Sequence, residues 1–338
     1  MNRKPYLSLV FFFIIGAVIA QNKQFTLEEI WSGAFRSSYL TDIHSMKDGE
    51  HYTVYNFDRS TRSTSVDKYS YKTSQKVATL INSADLDGLA YFQGYSFNNN
   101  ESKILLSTDV QPIFRHSTYA KYYIYDIASK GLELVDASPI QEPLLSPDNK
   151  KVAYVRDRNI VIKELGQANG VAITSDGSDQ KIINGITDWV YEEEFAFVRA
   201  FDWNKDGTKI AYIKFDESNV NEFSMDVYGK DLYQTQTKFK YPKAGEGNAK
   251  ISLHIYDLKT KKTSQINLGD YQDYYIPRIK WTNDANLLSV QVLNRHQNKL
   301  DLIFVNATTN EAKVIMTDTD KAYVDVTDNL TFLPDNSY

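Results

Sequence analysis

The sequence predicts an all-β protein, a β-propeller built from four-stranded blades. Two observations carry this prediction: one turn pattern recurs along the 338 residues, and each period has room for two hairpins. The composition agrees with it. The chain contains 24 Tyr and 17 Phe, and aromatic residues favour the half-buried surfaces of pleated sheets. We expect about five blades and the start of a sixth.

The recurring pattern is an apolar or aromatic residue, a turn containing Asp or Asn, and a strand of alternating character. One copy runs from Trp203 through Asp206 and Gly207 to Tyr212. The copies have their turn residues at Asp48, Asn100, Asp148, Asp206, Asp284 and Asp335, in steps of 52, 48, 58, 78 and 51. This period is typical of propeller blades. The alternative, an irregular β-sandwich, does not explain six copies at similar spacing.

A second strand pair completes each period. Residues 123–127 and 253–258 are alternating strands, and each is followed by a polar turn containing Lys. A single four-stranded blade cannot bury both of its faces, so neighbouring blades must pack against each other. The steps of 58 and 78 are longer than the others and predict insertions. In repeat scaffolds insertions map to one face, which is often the binding face.

The first twenty residues predict a secretory signal peptide. Arg3 and Lys4 form a positive start, residues 7–20 are almost entirely apolar, and Val18, Ile19 and Ala20 offer a small-residue cleavage site. The alternative is an uncleaved anchor, but fourteen apolar residues fall short of the ~20 that a spanning helix needs. We therefore expect an exported chain with residues 21–338 as the propeller domain, and no membrane span after cleavage.

Composition excludes several classes of function. The formal net charge is −5, whereas nucleic-acid binders usually carry a basic surplus, so no nucleic-acid partner is expected. The chain has no Cys, which excludes disulfides, zinc–thiolate sites and thiol nucleophiles. Its five histidines show no metal-binding spacing, and no nucleotide-binding loop is present, so we expect neither metal nor cofactor. Export without cysteine indicates a bacterial periplasm or cell exterior.

The 58-residue step contains an acidic run beside aromatic residues, Asp188-Trp189-Val190-Tyr191-Glu192-Glu193-Glu194-Phe195. Adjacent carboxylates on a strand would alternate between faces, whereas on a short helix they can fan towards one side. Asp188 is a suitable N-cap for such a helix. From these residues alone, two interpretations stay open: a solvated acidic turn, or an anionic cradle for a cation.

This run resembles the double-glutamate motif of the dipeptidyl peptidase IV family, serine exopeptidases of the prolyl oligopeptidase clan. Two further stretches are similar to the family. Residues 114–117, with Tyr119 and the strand after it, resemble its substrate-binding arginine loop. Residues 241–245 resemble the end of its dimerisation arm. The resemblance extends over about residues 25–338.

The resemblance implies specific roles. Glu193 and Glu194 would bind the free α-ammonium of a peptide, and Arg115 would hold the carbonyl region of its first residues. The implied activity is removal of N-terminal dipeptides of the Xaa-Pro or Xaa-Ala type. The family propeller has eight blades, and residues 231–250 would form an arm that pairs two subunits into a homodimer. From composition alone, that segment could equally be a disordered loop.

The catalytic half of the family is not found in this sequence. Family members carry Ser, Asp and His on an α/β-hydrolase domain after the propeller, and no Gly-x-Ser-x-Gly elbow is present here. We therefore expect no catalytic residue in this chain, an incomplete propeller, and no hydrolysis by the chain alone. The expectation is an N-terminal fragment or a truncated product of a dipeptidyl peptidase.

An alternative function is a non-catalytic exported propeller that acts as a scaffold for proteins or peptides. Such a scaffold does not require Glu193 and Glu194 together with Arg115, so these three residues favour the peptidase hypothesis. A glycan-binding propeller is a weaker third hypothesis, because nothing distinguishes its tyrosines from ordinary strand residues.

Overall fold

The computed structural model describes residues 24–37 and 43–338, and the predicted signal peptide, residues 1–20, lies outside them. The chain divides into two units, residues 1–43 and 44–338. The first contains helix α1 (Leu27–Ser32), which begins with a capping box between Thr26 and Glu29. No helix in the described part of the chain has the length and apolar character needed to cross a bilayer.

The second unit consists almost entirely of antiparallel sheets. The first two sheets contain β1 (Ile43–Ser45), β2 (His51–Asp58), β3 (Ser63–Ser70) and β4 (Lys76–Asn82), then β5 (Gly94–Phe97), β6 (Lys103–Pro112), β7 (Thr118–Asp126) and β8 (Leu132–Leu134). A 3₁₀ turn at Ser83–Asp85 follows β4. The third sheet contains β9 (Gln141–Leu145), β10 (Lys151–Arg156), β11 (Asn159–Glu164) and β12 (Val171–Ala172).

The fourth sheet carries both insertions. Its elements in chain order are β13 (Ile182–Asn184), helix α2 (Trp189–Phe195), β14 (Phe201–Trp203), β15 (Lys209–Asp216), the separate hairpin β16 (Glu222–Val227) and β17 (Thr235–Lys240), and then β18 (Lys250–Asp257) and β19 (Lys262–Ile266). The fifth sheet contains β20 (Tyr274–Trp281), β21 (Leu287–Asn294), β22 (Lys299–Asn306) and β23 (Ala312–Thr319). The predicted four-stranded repeat is confirmed.

Sheet faces are buried on both sides, as stacked blades require. In β6, Ile104 and Leu106 pack into a cluster with Val66 of the first sheet, whereas Leu105 between them packs into a second cluster with Val152 of the third sheet. Successive side chains of a strand point to opposite faces, so β6 contributes to two cores. The strands are therefore held between neighbours, as the repeat predicts.

The recurring turns also connect neighbouring sheets. The side-chain oxygen of Asn204 accepts hydrogen bonds from the backbone N–H groups of Thr208 and Lys209 in its own turn. The amide nitrogen of the same side chain donates to the carbonyl of Ala285, in the turn of the next copy, at 2.9 Å. Asn98 is similar: its side-chain oxygen accepts from the N–H of Lys103, and its amide nitrogen donates to the side-chain oxygen of Asn149. One asparagine side chain thus stabilises its own turn and links it to the turn of the next copy.

The last predicted copy is present as a turn. Asp335 accepts from the backbone N–H of Ser337 at 3.0 Å, and Asn283 of the fifth sheet donates to the carbonyl of Leu333. No strand forms in residues 320–338, so the predicted start of a sixth blade consists of the turn and its contacts with the fifth sheet.

Candidate functional site

Helix α2 lies in an insertion between two short strands that both pair with β15 of the fourth sheet. β13 and β14 pair with the two ends of β15. The chain between them leaves the sheet and rejoins it opposite Ile213. Gly185 donates to the carbonyl of Ile213, and the N–H of Ile213 donates to Ala200. The insertion predicted from the 58-residue step is therefore residues 186–199, and backbone hydrogen bonds to β15 fix both of its ends.

The predicted short helix and its cap are confirmed. Asp188 has extended backbone dihedrals, and its side-chain oxygen accepts from the backbone N–H of Tyr191 at 3.0 Å. This N-cap arrangement satisfies one of the free N–H groups of the first turn. The helix ends at Ala196, a left-handed residue, and Thr187 and Val198 close its base by a backbone hydrogen bond of 3.0 Å.

Aromatic packing fixes one side of α2. The buried Tyr191 ring lies 4.9 Å from Phe215 and 5.1 Å from Phe195, measured between ring centroids. Its hydroxyl oxygen accepts a hydrogen bond from the backbone N–H of Ile276, at 3.0 Å, on the first strand of the fifth sheet. Since this side is anchored to two sheets, the orientation of the three glutamates is set by the helix.

The three glutamates have different surroundings. The side chain of Glu193 is 16% exposed and its Oε2 lies 3.0 Å from the Nε of Arg115. The side chain of Glu194 is exposed and makes no hydrogen bond or ion pair with residues 24–37 or 43–338. Glu192 is 1% exposed and its Oε1 accepts from the backbone N–H groups of His116 and Ser117. A helix rotates by about 100° per residue, which separates the three directions.

Arg115 lies on the tight connection between β6 and β7. The N–H of Ile113 donates to the carbonyl of Ser117 at 2.9 Å and closes this connection, residues 113–117, called here the arginine loop. The side chain of Arg115 is 71% exposed. A pair with so exposed a guanidinium contributes little to stability, so the arginine can rearrange at low cost when a ligand arrives. The structure thus brings Arg115 and Glu193 together.

The second insertion forms the hairpin of β16 and β17 and contacts the same region. The Phe239 ring centroid lies 5.7 Å from that of Phe114 in the arginine loop, and Tyr241 lies 4.4 Å from Trp189 of α2. The predicted arm, residues 231–250, contains only the second strand of this hairpin, since the first begins at Glu222. The hairpin is paired strand to strand, which differs from the disordered-loop interpretation.

A cavity of about 270 Å³ lies between this hairpin, the arginine loop and the start of α2. Phe114, Trp189, Glu192, Arg158 and Phe239 are among its lining residues. Arg115, Glu193 and Glu194 do not line it. The cavity and the predicted binding residues are therefore distinct features of one region.

Burial changes the acidity of several carboxyl groups in this region. Burial raises the pKa of Asp188 to about 7, against the opposing hydrogen bond from Tyr191, and raises that of Asp202 to about 6. Burial also raises the pKa of Glu142, with a smaller opposing effect of Arg199 and a smaller raising effect of the charge of Glu192. These buried carboxyl groups therefore keep their protons to higher pH than exposed carboxyl groups do.

Sequence reasoning did not find Glu142 and Arg199. Arg199 Nη1 lies 3.6 Å from a carboxylate oxygen of Glu142, which comes from β9 of the preceding sheet. Neither residue belongs to a motif, and their proximity follows only from the packing of successive sheets. No cluster of potential metal ligands occurs among residues 24–37 and 43–338.

The sequence has recognisable relatives. Residues 98–338 match the family described as the dipeptidyl peptidase IV (DPP IV) N-terminal region. A probable dipeptidyl-aminopeptidase B of Chaetomium globosum is 31% identical, over 65% of this chain and 26% of that protein. A dipeptidyl-aminopeptidase B of Aspergillus niger is 30% identical, over 78% of this chain and 32% of that protein. The chain spans about a quarter to a third of the length of these curated relatives.

Comparison with solved structures indicates the same family. The crystal structure of Porphyromonas gingivalis dipeptidyl peptidase 4 superimposes with a TM-score of 0.82 and 37% identity, covering 90% of this chain and 43% of that one. A putative dipeptidyl aminopeptidase IV from Bacteroides ovatus, with a TM-score of 0.63 and 22% identity over 92% and 42% of the two chains, supports the fold alone. The chain belongs to the dipeptidyl peptidase IV family and corresponds to its N-terminal region.

Proposed function

We propose that this chain is the substrate-recognition and gating part of an exported serine dipeptidyl peptidase that removes N-terminal dipeptides from peptides. Glu193 and Glu194 bind the α-ammonium of the substrate, and Arg115 holds its first carbonyl groups. The observation that carries the proposal is the position of Glu193, on an anchored helix and 3.0 Å from Arg115 of a different sheet. We infer that the two glutamates and the arginine act together in one site.

The chemistry suits a free N-terminus. An α-ammonium has three N–H donors, and two adjacent carboxylates can accept from it while they neutralise its charge. Charge-assisted hydrogen bonds of this kind contribute roughly 1.5–3 kcal/mol each, with the lower end applying to the exposed Glu194. Arg115 offsets the repulsion between the carboxylates before a peptide binds and presents N–H donors to carbonyl oxygens afterwards.

A fixed terminus also accounts for dipeptide release. When the ammonium is held at one depth, the second peptide bond lies at a constant distance from it, about two residues of 3.3–3.6 Å each. A hydrolase nucleophile at that distance would cleave after two residues. In this proposal the nucleophile belongs to a separate α/β-hydrolase domain, and this chain alone does not hydrolyse peptides.

We further propose that the intact enzyme is a homodimer joined through the hairpin of β16 and β17, and that it acts in the periplasm or at the cell exterior. The tip of this hairpin carries Tyr228, Leu232 and Tyr233, which are 79–90% exposed. Exposed apolar side chains grouped in this way are typical of interaction surfaces. Sedimentation of the full enzyme tests this part, and a monomer would contradict it.

Peptide binding to this chain tests the function. Calorimetry should show that a peptide with a free N-terminus binds and that its N-acetylated form binds at least about tenfold more weakly, because the ammonium is lost. Glu193→Gln and Glu194→Gln should each cause a similar loss. Glu164→Gln, which removes an exposed carboxylate of β11, is the matched control and should bind normally.

The scaffold alternative makes the opposite prediction. A propeller that binds peptides along their length would take the free and acetylated peptides with equal affinity. Equal binding, or normal binding by both glutamine variants, would contradict the assignment of Glu193 and Glu194.

A further inference from the structure

We propose that Glu192, the first glutamate of the acidic run, is a positioning residue: its buried carboxylate holds the backbone of the arginine loop and so sets where Arg115 is presented. This inference rests on the proposed function, because it concerns the residue that would meet the peptide carbonyl groups. Glu192 itself touches no peptide in this proposal. Its role differs from those of Glu193 and Glu194, although the three residues are adjacent.

The geometry identifies the interaction. Oε1 of Glu192 accepts hydrogen bonds from the backbone N–H of His116, at 2.6 Å, and from that of Ser117, at 2.8 Å. These amides directly follow Arg115 in the sequence, and they lie on a connection 75 or more residues before Glu192. The bonds therefore join α2 of the fourth sheet to a loop of the second sheet.

The loop amides are the principal partners of this carboxylate. Glu192 is 1% exposed, and within the described ranges no lysine, arginine or histidine side chain forms an ion pair with it. A buried carboxylate is costly unless it is hydrogen-bonded, and bonds from N–H groups to a charged acceptor are among the stronger ones in proteins. Loop and carboxylate thus stabilise each other, and displacing the loop would leave a buried charge without partners.

Both the backbone next to Arg115 and the Arg115 side chain are then held by α2. Glu192 fixes the backbone that follows it, and Glu193, one residue further along the same helix, contacts its side chain through Nε. Because the side chain is largely exposed, the Arg115–Glu193 pair cannot by itself fix the loop. Other restraints on the loop, among the described residues, include the backbone bond from Ile113 to Ser117, the bond from the N–H of Phe114 to the Ser117 hydroxyl oxygen at 3.3 Å, and the ring contact of Phe114.

The experiment uses the full 338-residue chain and measures amide hydrogen exchange at His116 and Ser117, together with trypsin cleavage after Arg115. In Glu192→Ala, exchange of the two amides and cleavage should each accelerate at least about tenfold, because local opening no longer breaks two charge-assisted bonds. Glu192→Gln retains an oxygen that can accept both bonds, and it should keep exchange within about threefold of the wild type.

Asp301→Ala is the matched control. Asp301 is 2% exposed, and it accepts from the Tyr271 hydroxyl within the region of the fifth sheet. Its loss should lower the melting temperature without releasing His116 or Ser117. If Asp301→Ala releases these amides as strongly as Glu192→Ala, the effect is general destabilisation and the inference is wrong. It is equally wrong if Glu192→Ala leaves exchange unchanged, or if the Gln variant behaves like the Ala variant.

Peptide affinity separates this inference from the proposed function. If the wild type prefers a free N-terminus, Glu192→Ala should weaken binding about tenfold while Glu192→Gln stays near normal. A released loop with unchanged affinity would overturn the claim that the position of Arg115 matters for binding. If the wild type shows no preference for a free N-terminus, the proposed function fails, and hydrogen exchange still decides whether Glu192 positions the loop.

Discussion

Replacing Asp188 by Asn should change how the stability of the chain depends on pH. Asp188 caps α2 and is buried, and burial raises the pKa of its carboxyl group from 3.8 to about 7. The folded chain therefore holds this proton more tightly than the unfolded chain does. As pH rises from about 4 to about 7, the free energy of unfolding must fall, because the charged form is disfavoured in the folded state.

The structure sets the size of the effect. A difference of about three pKa units corresponds to about 4 kcal/mol, reached above about pH 7. Asn is as good an N-cap as Asp, and its Oδ1 can accept from the N–H of Tyr191, so the variant keeps the cap and loses the titration. The two proteins should be nearly equal in stability at about pH 4, and Asp188→Asn should be the more stable by up to about 4 kcal/mol at about pH 8.

Urea unfolding at a series of pH values measures this difference. Asp87→Asn makes the same change in net charge at an exposed turn, and it serves as the control for general electrostatic effects. A stability difference between wild type and Asp188→Asn that does not change with pH would refute the reasoning. A variant that is less stable than wild type at about pH 8 would also do so, since it would show that the ionised cap is favourable.

Three further variants test packing and burial in the fourth sheet by urea unfolding. Tyr191→Phe leaves the buried N–H of Ile276 without an acceptor and should cost about 1–3 kcal/mol; no loss would contradict the anchoring of α2. Gly185→Ala should destabilise by more than about 1 kcal/mol, since φ is +76° and the new methyl would lie 2.6 Å from Ile160. Burial lowers the pKa of His254 to about 4, so stability is lost as pH falls from about 6.5 to 4, and His254→Gln should remove that loss of about 3 kcal/mol.

The blade pattern could be predicted from sequence because the residues that stabilise each turn lie within a few positions of it. Asn204 and its counterparts shape the turn by side-chain to backbone bonds within five residues, and such local chemistry is visible in the sequence. The consecutive apolar residues Ile104, Leu105 and Leu106 of β6 indicate two buried faces, because neighbouring side chains of a strand point to opposite sides of the sheet. Asp188 likewise marks the start of α2, because an N-cap acts on the three residues that follow it.

Contacts between distant segments could not be predicted in this way. The bonds from His116 and Ser117 to Glu192 join the second sheet to the fourth, and the pair of Glu142 and Arg199 joins the third sheet to the fourth. Nothing near these residues in the sequence specifies their partners, because the partners follow from how the sheets stack. The predicted arm, residues 231–250, also omits the first strand of the hairpin, which begins at Glu222.

In the proposed function, Glu193 and Glu194 hold the α-ammonium of a peptide. A crystal structure of this chain with a bound tripeptide that has a free N-terminus tests it most directly. We expect the peptide nitrogen to lie within about 3 Å of a carboxylate oxygen of each glutamate, and Arg115 to face a peptide carbonyl. A bound peptide whose nitrogen lies away from both carboxylates, or whose C-terminal carboxylate occupies Arg115 instead, would contradict it.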